Sequence, residues 1–150
     1  MRMIFVAFFS LFLFFHVKSQ TLSGFIGDGS VKRGSSVRGV VIMDIPPGLH
    51  VNANKPNNRY AIPTVLKVSS NGAILGQVSY PKGKSKKFNF NEEPINIYEG
   101  RVRFTFPIRV PSNFRGKSVT VRATVRYQAC NSEVCFPPRE KEILITAKVN

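Results

Sequence analysis

Alternation of apolar and polar side chains with a period of two is the feature that most limits the fold of this chain. Residues 119–127 alternate in this way without interruption, and residues 101–106 repeat the pattern. Alternate side chains of an extended strand point to the same face, so both segments predict strands with one buried face. Further strand candidates are residues 37–45, 64–68, 73–80 and 142–149, and none of them shows an apolar stripe at helical spacing.

Turn-forming residues separate these candidates. Pro-Pro-Gly, Ser-Ser-Asn-Gly, Pro-Lys-Gly, Glu-Gly and Arg-Gly sequences occur at residues 46–48, 69–72, 81–83, 99–100 and 115–116. About seven short strands with a turn every eight to twelve residues or so are typical of a β-sandwich. The sequence therefore predicts an all-β sandwich in a single domain. The lysine-rich segment 82–87 is expected to be a solvated loop.

The first 19 residues have the pattern of a secretory signal peptide. Arg2 precedes an apolar stretch at residues 4–15, and small residues stand at the two positions that a signal peptidase reads, Val17 and Ser19. The apolar stretch is short for a membrane span. We expect residues 1–19 to be cleaved, residues 20–150 to form the mature domain, and no stable membrane insertion after cleavage. The alternative is an uncleaved anchor.

The chain is strongly basic, with a formal net charge of +14, and it keeps +12 if Arg2 and Lys18 are lost with the signal. Such a charge favours an acidic protein partner, an anionic membrane surface or nucleic acid. Export argues against nucleic acid, which we exclude as a partner. The simpler explanation is a solvated basic surface.

Cys130 and Cys135 are the only cysteines, and four residues separate them. A disulfide between them would close a loop of about six residues, worth roughly 2 kcal/mol in the chain-entropy model against nearly 5 kcal/mol for a loop of about a hundred. Export places the pair where disulfides persist. The spacing therefore favours a disulfide that opens and closes over a structural one. Zinc is disfavoured, because His50 would supply only a third ligand.

The segment around the cysteines resembles the amino-terminal (alpha) domain of DsbD, the bacterial thiol:disulfide interchange protein. The resemblance lies in Tyr127, Gln128 and Cys130, followed by Cys135, Pro137 and Pro138. Segments 47–56, 61–64, 80–81 and 97–100 are similar to the same family and occur in its order. Together they extend over about residues 30–149.

The resemblance implies an immunoglobulin-like fold in the periplasm, with Cys130 and Cys135 as the redox pair. It also implies electron transfer from a thioredoxin-like donor to oxidised periplasmic thiol proteins, including disulfide isomerases and the reductants of cytochrome c maturation. The second cysteine of the family joins the partner in the mixed disulfide, which here is Cys135. Family members shield the pair with an aromatic lid, for which Phe88 and Phe90 are the candidates, although each could equally be a core residue.

Two departures bear on these implications. The best-known family members place five residues between the cysteines rather than four. The full protein also carries a membrane-embedded domain and a thioredoxin domain, so this chain is expected to obtain electrons from separate proteins.

The remaining site candidates have simpler alternatives. His50 could act as a proton shuttle near the pair or be an ordinary hydrogen-bonded loop residue. Pro137 and Pro138 remove two backbone donors and stiffen the exit from the loop. One of the bonds before them could be cis, and a simple strand-breaking turn explains them as well.

The sequence thus favours a thiol-disulfide exchange module that needs no bound cofactor, because the dithiol itself carries two electrons. If active, it is a component of a protein-disulfide reductase. The alternatives are a non-catalytic immunoglobulin-like binding module with a structural disulfide, and the detached substrate-docking part of a multi-protein reductase.

Overall fold

The computed structural model describes residues 19–89 and 91–150, and the regular structure of these residues is entirely β-strand. The strands are β1 (Thr21–Ile26), β2 (Ser30–Val31), β3 (Ser36–Asp44), β4 (His50–Asn52), β5 (Val65–Ser70), β6 (Ile74–Leu75), β7 (Lys84–Lys86), β8 (Ile95–Tyr98), β9 (Arg101–Arg109), β10 (Ser118–Tyr127), β11 (Ala129–Cys130) and β12 (Arg139–Val149). The predicted signal peptide lies, up to residue 18, outside the described residues. Within the described part, no helix is long and apolar enough to cross a membrane.

The strands form three four-stranded sheets. Their orders are β1-β3-β9-β6, β2-β12-β10-β5 and β11-β4-β8-β7. All pairings are antiparallel except that of β2 with β12. One apolar core contains buried side chains from all three sheets, such as Phe104, Val121 and Val51. The predicted β-sandwich is confirmed.

The period-two pattern of residues 119–127 gives β10 its buried face. The side chains at the five odd positions are fully buried in the core, while those at the even positions are exposed or half-buried. Burial of apolar surface stabilises a fold by about 25 cal/mol per Å² removed from water. The buried face therefore makes β10 a major contributor to the stability of the sandwich. β10 pairs with β12 on one side and β5 on the other.

The prediction of one strand over residues 73–80 is wrong. Only β6 and an isolated bridge between Ser79 and Thr105 form, both against β9. Gly76 donates its amide to the carbonyl of Pro107 at 2.9 Å, but Pro107 has no N–H to return. A Cβ on Gly76 would also lie 2.2 Å from Cγ of Pro107, so the chain approaches β9 too closely there for a normal side chain.

The prediction that residues 82–87 form a loop is also wrong. Residues 84–86 are β7, which pairs with β8 at the edge of the third sheet and exposes all three side chains. Exposed lysines are common on edge strands, because their charge discourages pairing with other chains. The lysine-rich segment 82–87 therefore includes an edge strand whose charge discourages pairing with other chains.

The cysteine segment lies at one end of the β10–β12 hairpin, as predicted. Tyr127 ends β10 and pairs with Arg139, which begins β12. Between them the chain leaves this sheet, and Ala129 and Cys130 join β4 in the third sheet. The cysteines therefore connect two sheets through the backbone and do not cross the core.

Candidate functional site

Cys130 and Cys135 form a disulfide that closes a tight turn, with their Cα atoms 3.9 Å apart. The two residues face each other as an antiparallel bridge. Below them the amide of Phe136 donates to the carbonyl of Ala129 at 2.8 Å, and above them the amide of Asn131 donates to the carbonyl of Val134 at 2.9 Å. The four-residue spacing therefore produces a short hairpin.

Asn131 organises the tip of this hairpin. Its Oδ1 accepts hydrogen bonds from the backbone amides of Glu133 (2.8 Å) and Val134 (2.7 Å). Asn side chains commonly stabilise turns by bonding to the backbone two residues on. Asn131 is not among the site residues predicted from the sequence, although an Asn directly after the first cysteine is a recognisable turn signal.

The two cysteines differ sharply in exposure. Cys130 is completely buried beneath the hairpin, whereas Cys135 is exposed. Thiol-disulfide exchange requires the attacking thiolate to approach a disulfide sulfur along an open path. This arrangement leaves Cys135 as the accessible member of the pair and Cys130 as the protected one.

β4 supports the first cysteine. His50 pairs with Cys130 and Val51 with Ala129. Next along β4, the buried Asn52 donates through Nδ2 to Oε1 of Gln128 at 3.3 Å and to the carbonyl of Ile62 at 3.0 Å. Gln128 is thus held by Asn52, which sequence analysis included only within segment 47–56.

The ring of Phe88 covers the ring of His50. Their rings stack with centroids 4.4 Å apart and an interplanar angle of 18°. Phe88 is buried and packs with Ile95 and Ile97. Phe88 therefore has features of a core residue, because it belongs to a small apolar cluster, and of a lid, because it covers His50, the residue that pairs with Cys130. Phe90 lies outside the described residues.

A cavity of about 410 Å³ separates the Phe88 segment from the disulfide hairpin. We call it the histidine cavity; its lining includes Leu49, His50, Lys86, Phe88, Glu99 and Ser132. Ser132 belongs to the hairpin and Phe88 to the covering segment. The two segments therefore face one another across this space.

The electrostatics of the histidine cavity keep His50 neutral. Burial lowers the pKa of His50, the positive charge of Lys86 lowers it further, and Glu99 acts in the opposite direction. Lys86 and Glu99 form an ion pair at 2.7 Å, which also lowers the pKa of Glu99. An imidazole that stays neutral at physiological pH can both donate and accept a hydrogen bond.

The prolines after Cys135 border a second cavity, of about 400 Å³. We call it the proline groove; it is lined by Ser19, Gln20, Pro46, Pro47, Leu49, Tyr127, Ala129, Phe136, Pro137 and Arg139. Tyr127 is fully buried, and this burial raises the pKa of its hydroxyl. Pro138 is exposed, and no peptide bond within the described residues is cis.

The fold and this site define a class of protein, a β-sandwich domain that carries one disulfide in a short hairpin at its end. One cysteine of this disulfide is exposed and the other is buried. The chain belongs to the family of the N-terminal domain of the thiol:disulfide interchange protein DsbD, whose model matches residues 28–147. The sandwich is accordingly immunoglobulin-like, as the resemblance implied.

Individual relatives are consistent with this family. The chain is 30% identical over 83 residues to the thiol:disulfide interchange protein DsbD of Pseudoalteromonas atlantica, a match that covers 55% of this chain but only 13% of that protein. It is also similar to the DsbD N-terminal domain of Neisseria meningitidis in its reduced form, at 22% identity and a TM-score of 0.46 over 73% of this chain and 77% of that one. A third similar structure is the N-terminal periplasmic domain of ScsB from Proteus mirabilis, at 11% identity and a TM-score of 0.46 over 86% of this chain and 45% of that one.

Proposed function

We propose that this protein is a periplasmic thiol-disulfide exchange module that relays reducing equivalents through Cys130 and Cys135. Its donor is a reduced thioredoxin-like protein, and its acceptors are oxidised periplasmic thiol proteins. The observation that carries the proposal is the unequal exposure of the two cysteines within the family's own segment. Residues 1–19 act as the signal peptide that delivers it.

The reaction proceeds in two exchanges. The Cys135 thiolate of the reduced protein attacks a disulfide of the acceptor, forming a mixed disulfide and releasing one acceptor thiolate, which takes up a proton. The Cys130 thiolate then attacks the sulfur of Cys135 and releases the second acceptor thiol. Two electrons and two protons thereby pass to the acceptor, and the reverse sequence with the donor's dithiol restores Cys130 and Cys135.

The surroundings of the pair suit a selective relay. Cys130 is buried, so its thiol resolves the mixed disulfide from within the protein and does not itself meet disulfides in bulk solution. The described structure contains no helix whose N-terminus could lower a thiol pKa, as helix N-termini do in thioredoxin-like proteins. Reaction with random disulfides is then slow, and a docked partner is needed for speed.

Single substitutions separate the roles of the two cysteines. Cys130→Ser removes the resolving thiol, so we expect it to trap a mixed disulfide between Cys135 and a thioredoxin-like protein whose own resolving cysteine is replaced by Ser and whose other cysteine carries 5-thio-2-nitrobenzoate as the leaving group. Cys135→Ser removes the accessible thiol and should trap at least about tenfold less, because Cys130 is buried. Non-reducing electrophoresis of equimolar mixtures measures both. Equal trapping by the two variants would contradict the assigned roles, and undiminished electron transfer in both would exclude the exchange function.

The alternative is a binding module in which the disulfide is permanent. The well-bonded hairpin tip is the observation that favours it, because two backbone hydrogen bonds and two more to the Asn131 side chain hold the hairpin that joins the two cysteines. The reduction potential of the pair distinguishes the two functions, because a permanent disulfide has a much more negative potential than a relay.

A further inference from the structure

The proline groove lies directly beside the reactive end of the disulfide hairpin. Phe136 and Pro137, which follow Cys135, form part of its lining, and Leu49 separates it from the histidine cavity by lining both. Pro46, Pro47 and Ala129 contribute further apolar surface. A partner whose sulfur is joined to Cys135 therefore places its neighbouring residues at the mouth of this groove.

Two buried polar atoms border the groove without a hydrogen-bond partner among the described residues. One is Nε2 of Gln20, which is only 4% exposed, and the other is the hydroxyl of the fully buried Tyr127. Ser19 lies close enough to lower the pKa of the Tyr127 hydroxyl, but the two side chains do not form a hydrogen bond of normal geometry. Burying a polar group without a partner is unfavourable. A bound group that offers an acceptor to Gln20 would remove that penalty.

The charge of the groove is positive. Arg139 is the one charged residue in its described lining, and it lies close enough to Tyr127 to lower the pKa of the hydroxyl. Lys141, two residues further along β12, donates a hydrogen bond from Nζ to the backbone carbonyl of Gln20. The groove therefore matches a ligand that combines an apolar side chain, a hydrogen-bond acceptor and a negative charge.

We propose that the proline groove binds the peptide segment that flanks the reactive cysteine of a partner protein, and that it selects segments with an apolar and an acidic side chain. The apolar side chain packs against Leu49 and the prolines, a backbone carbonyl accepts from Gln20, and the carboxylate lies near Arg139. This inference rests on the proposed exchange function and assigns to it the chemistry of the preferred partner.

Three synthetic peptides test the preference. Each carries one cysteine as a mixed disulfide with 5-thio-2-nitrobenzoate, whose release is followed by absorbance when reduced Cys135 attacks the peptide sulfur. The first has Leu and Glu next to the cysteine, the second Leu and Lys, and the third Ser and Glu. Attack transfers the peptide sulfur to Cys135, and Cys130 then releases the peptide thiol. Glutathione disulfide serves as a substrate that offers no apolar side chain to the groove.

The exported protein should react about tenfold faster with the Leu-Glu peptide than with the Ser-Glu peptide, the effect of burying one Leu side chain. It should also react about fivefold faster with the Leu-Glu peptide than with the Leu-Lys peptide. Arg139→Glu should reverse the second preference and keep the first. Arg103→Glu, which reverses an equally exposed charge on β9, should keep both.

Equal rates for all three peptides, in a protein that still reacts with glutathione disulfide, would overturn the groove while leaving exchange intact. Failure with glutathione disulfide as well would overturn both. If a second copy of the chain fills the groove instead, sedimentation will show a dimer that Arg139→Glu disrupts, without peptide preference.

Discussion

At the scale of single residues, Cys130 and Cys135 have different surroundings although only four residues separate them. The difference arises because Cys130 belongs to β11 and pairs with His50, whereas Cys135 follows the hairpin tip and faces solvent. In the proposed exchange, exposure of Cys135 gives a partner access, and burial of Cys130 protects the thiol that would resolve the mixed disulfide. Spacing alone does not determine this asymmetry, which depends on the pairing of β11 with β4.

Asn131 gives a first prediction at this scale. Its two side-chain hydrogen bonds hold the tight turn in which the two cysteines meet, so we expect them to stabilise the disulfide state more than the dithiol state. Asn131→Ala should lose about 1–2 kcal/mol of this preference, which makes the reduction potential about 30 mV less negative. Redox titration with alkylation of the cysteines measures the change. Ser132→Ala, in the same exposed turn, is the matched control, and an equal shift in both variants would contradict the role of Asn131.

His50 gives a second prediction, on pH. Its pKa is lowered in the folded protein by burial and by Lys86, whereas the unfolded chain titrates near about 6.5. As pH falls below that value, the unfolded state binds more protons, and the free energy of unfolding decreases until the folded pKa is passed. Stability should therefore decline as pH falls through and below about 6.5. Glu99 and the two aspartates with lowered pKa values lose their contributions only at more acidic pH.

Chemical denaturation at several pH values measures this decline. His50→Gln keeps a polar planar side chain against Phe88 but cannot titrate, so its denaturation midpoint should be nearly constant over the same interval. The same slope in the variant and the original protein would show that other groups cause the dependence.

At the scale of elements, the segment that carries Phe88 and the disulfide hairpin face each other across the histidine cavity. β7 and β8 hold this segment, and residues 54–64 support it through hydrogen bonds such as that from Asn57 Nδ2 to the carbonyl of Pro94 at 2.7 Å. The segment is thus anchored at the third sheet and covers β4 next to Cys130.

Removal of the Phe88 ring should open this side of the site. We expect Phe88→Ala to increase the rate at which dithiothreitol reduces the disulfide by about three- to tenfold, because it opens a second approach, to the sulfur of the buried Cys130, besides the one at the exposed Cys135. Phe88→Leu retains an apolar cover and should stay within about twofold of the original rate. Stopped-flow kinetics measure the rates, and circular dichroism shows whether each variant is folded. An unchanged rate in a folded Phe88→Ala protein would contradict a covering role.

The long strands could be predicted from the sequence, because β9 and β10 alternate over nine or ten residues and bury one face each. The short strands of the third sheet could not, because β4 is buried at all three positions and β7 at none. The redox pair and its neighbours were found from the family segment. Asn52 and Asn131 were not, since their importance depends on which backbone groups the fold brings within hydrogen-bonding distance.

At the scale of the whole molecule, the stability of the sandwich and the state of the disulfide are separable. The core joins side chains from all three sheets, whereas the disulfide closes a small loop at one end and crosses none of them. Such a loop contributes only about 2 kcal/mol. The proposed cycling between oxidised and reduced forms is therefore compatible with a retained fold, because little of the stability of the sandwich depends on the disulfide.

The proposed function depends on the Cys130–Cys135 disulfide alternating between its oxidised and reduced forms. The equilibrium reduction potential of this disulfide is the most direct measurement of that property. Titration of the protein in a thiol redox buffer, with the cysteines alkylated and counted by mass spectrometry, gives the value. A relay should titrate between about −180 and −270 mV, the range of thioredoxin-like exchange proteins. A potential below about −300 mV is that of an inert structural disulfide and would contradict the relay in favour of a binding module.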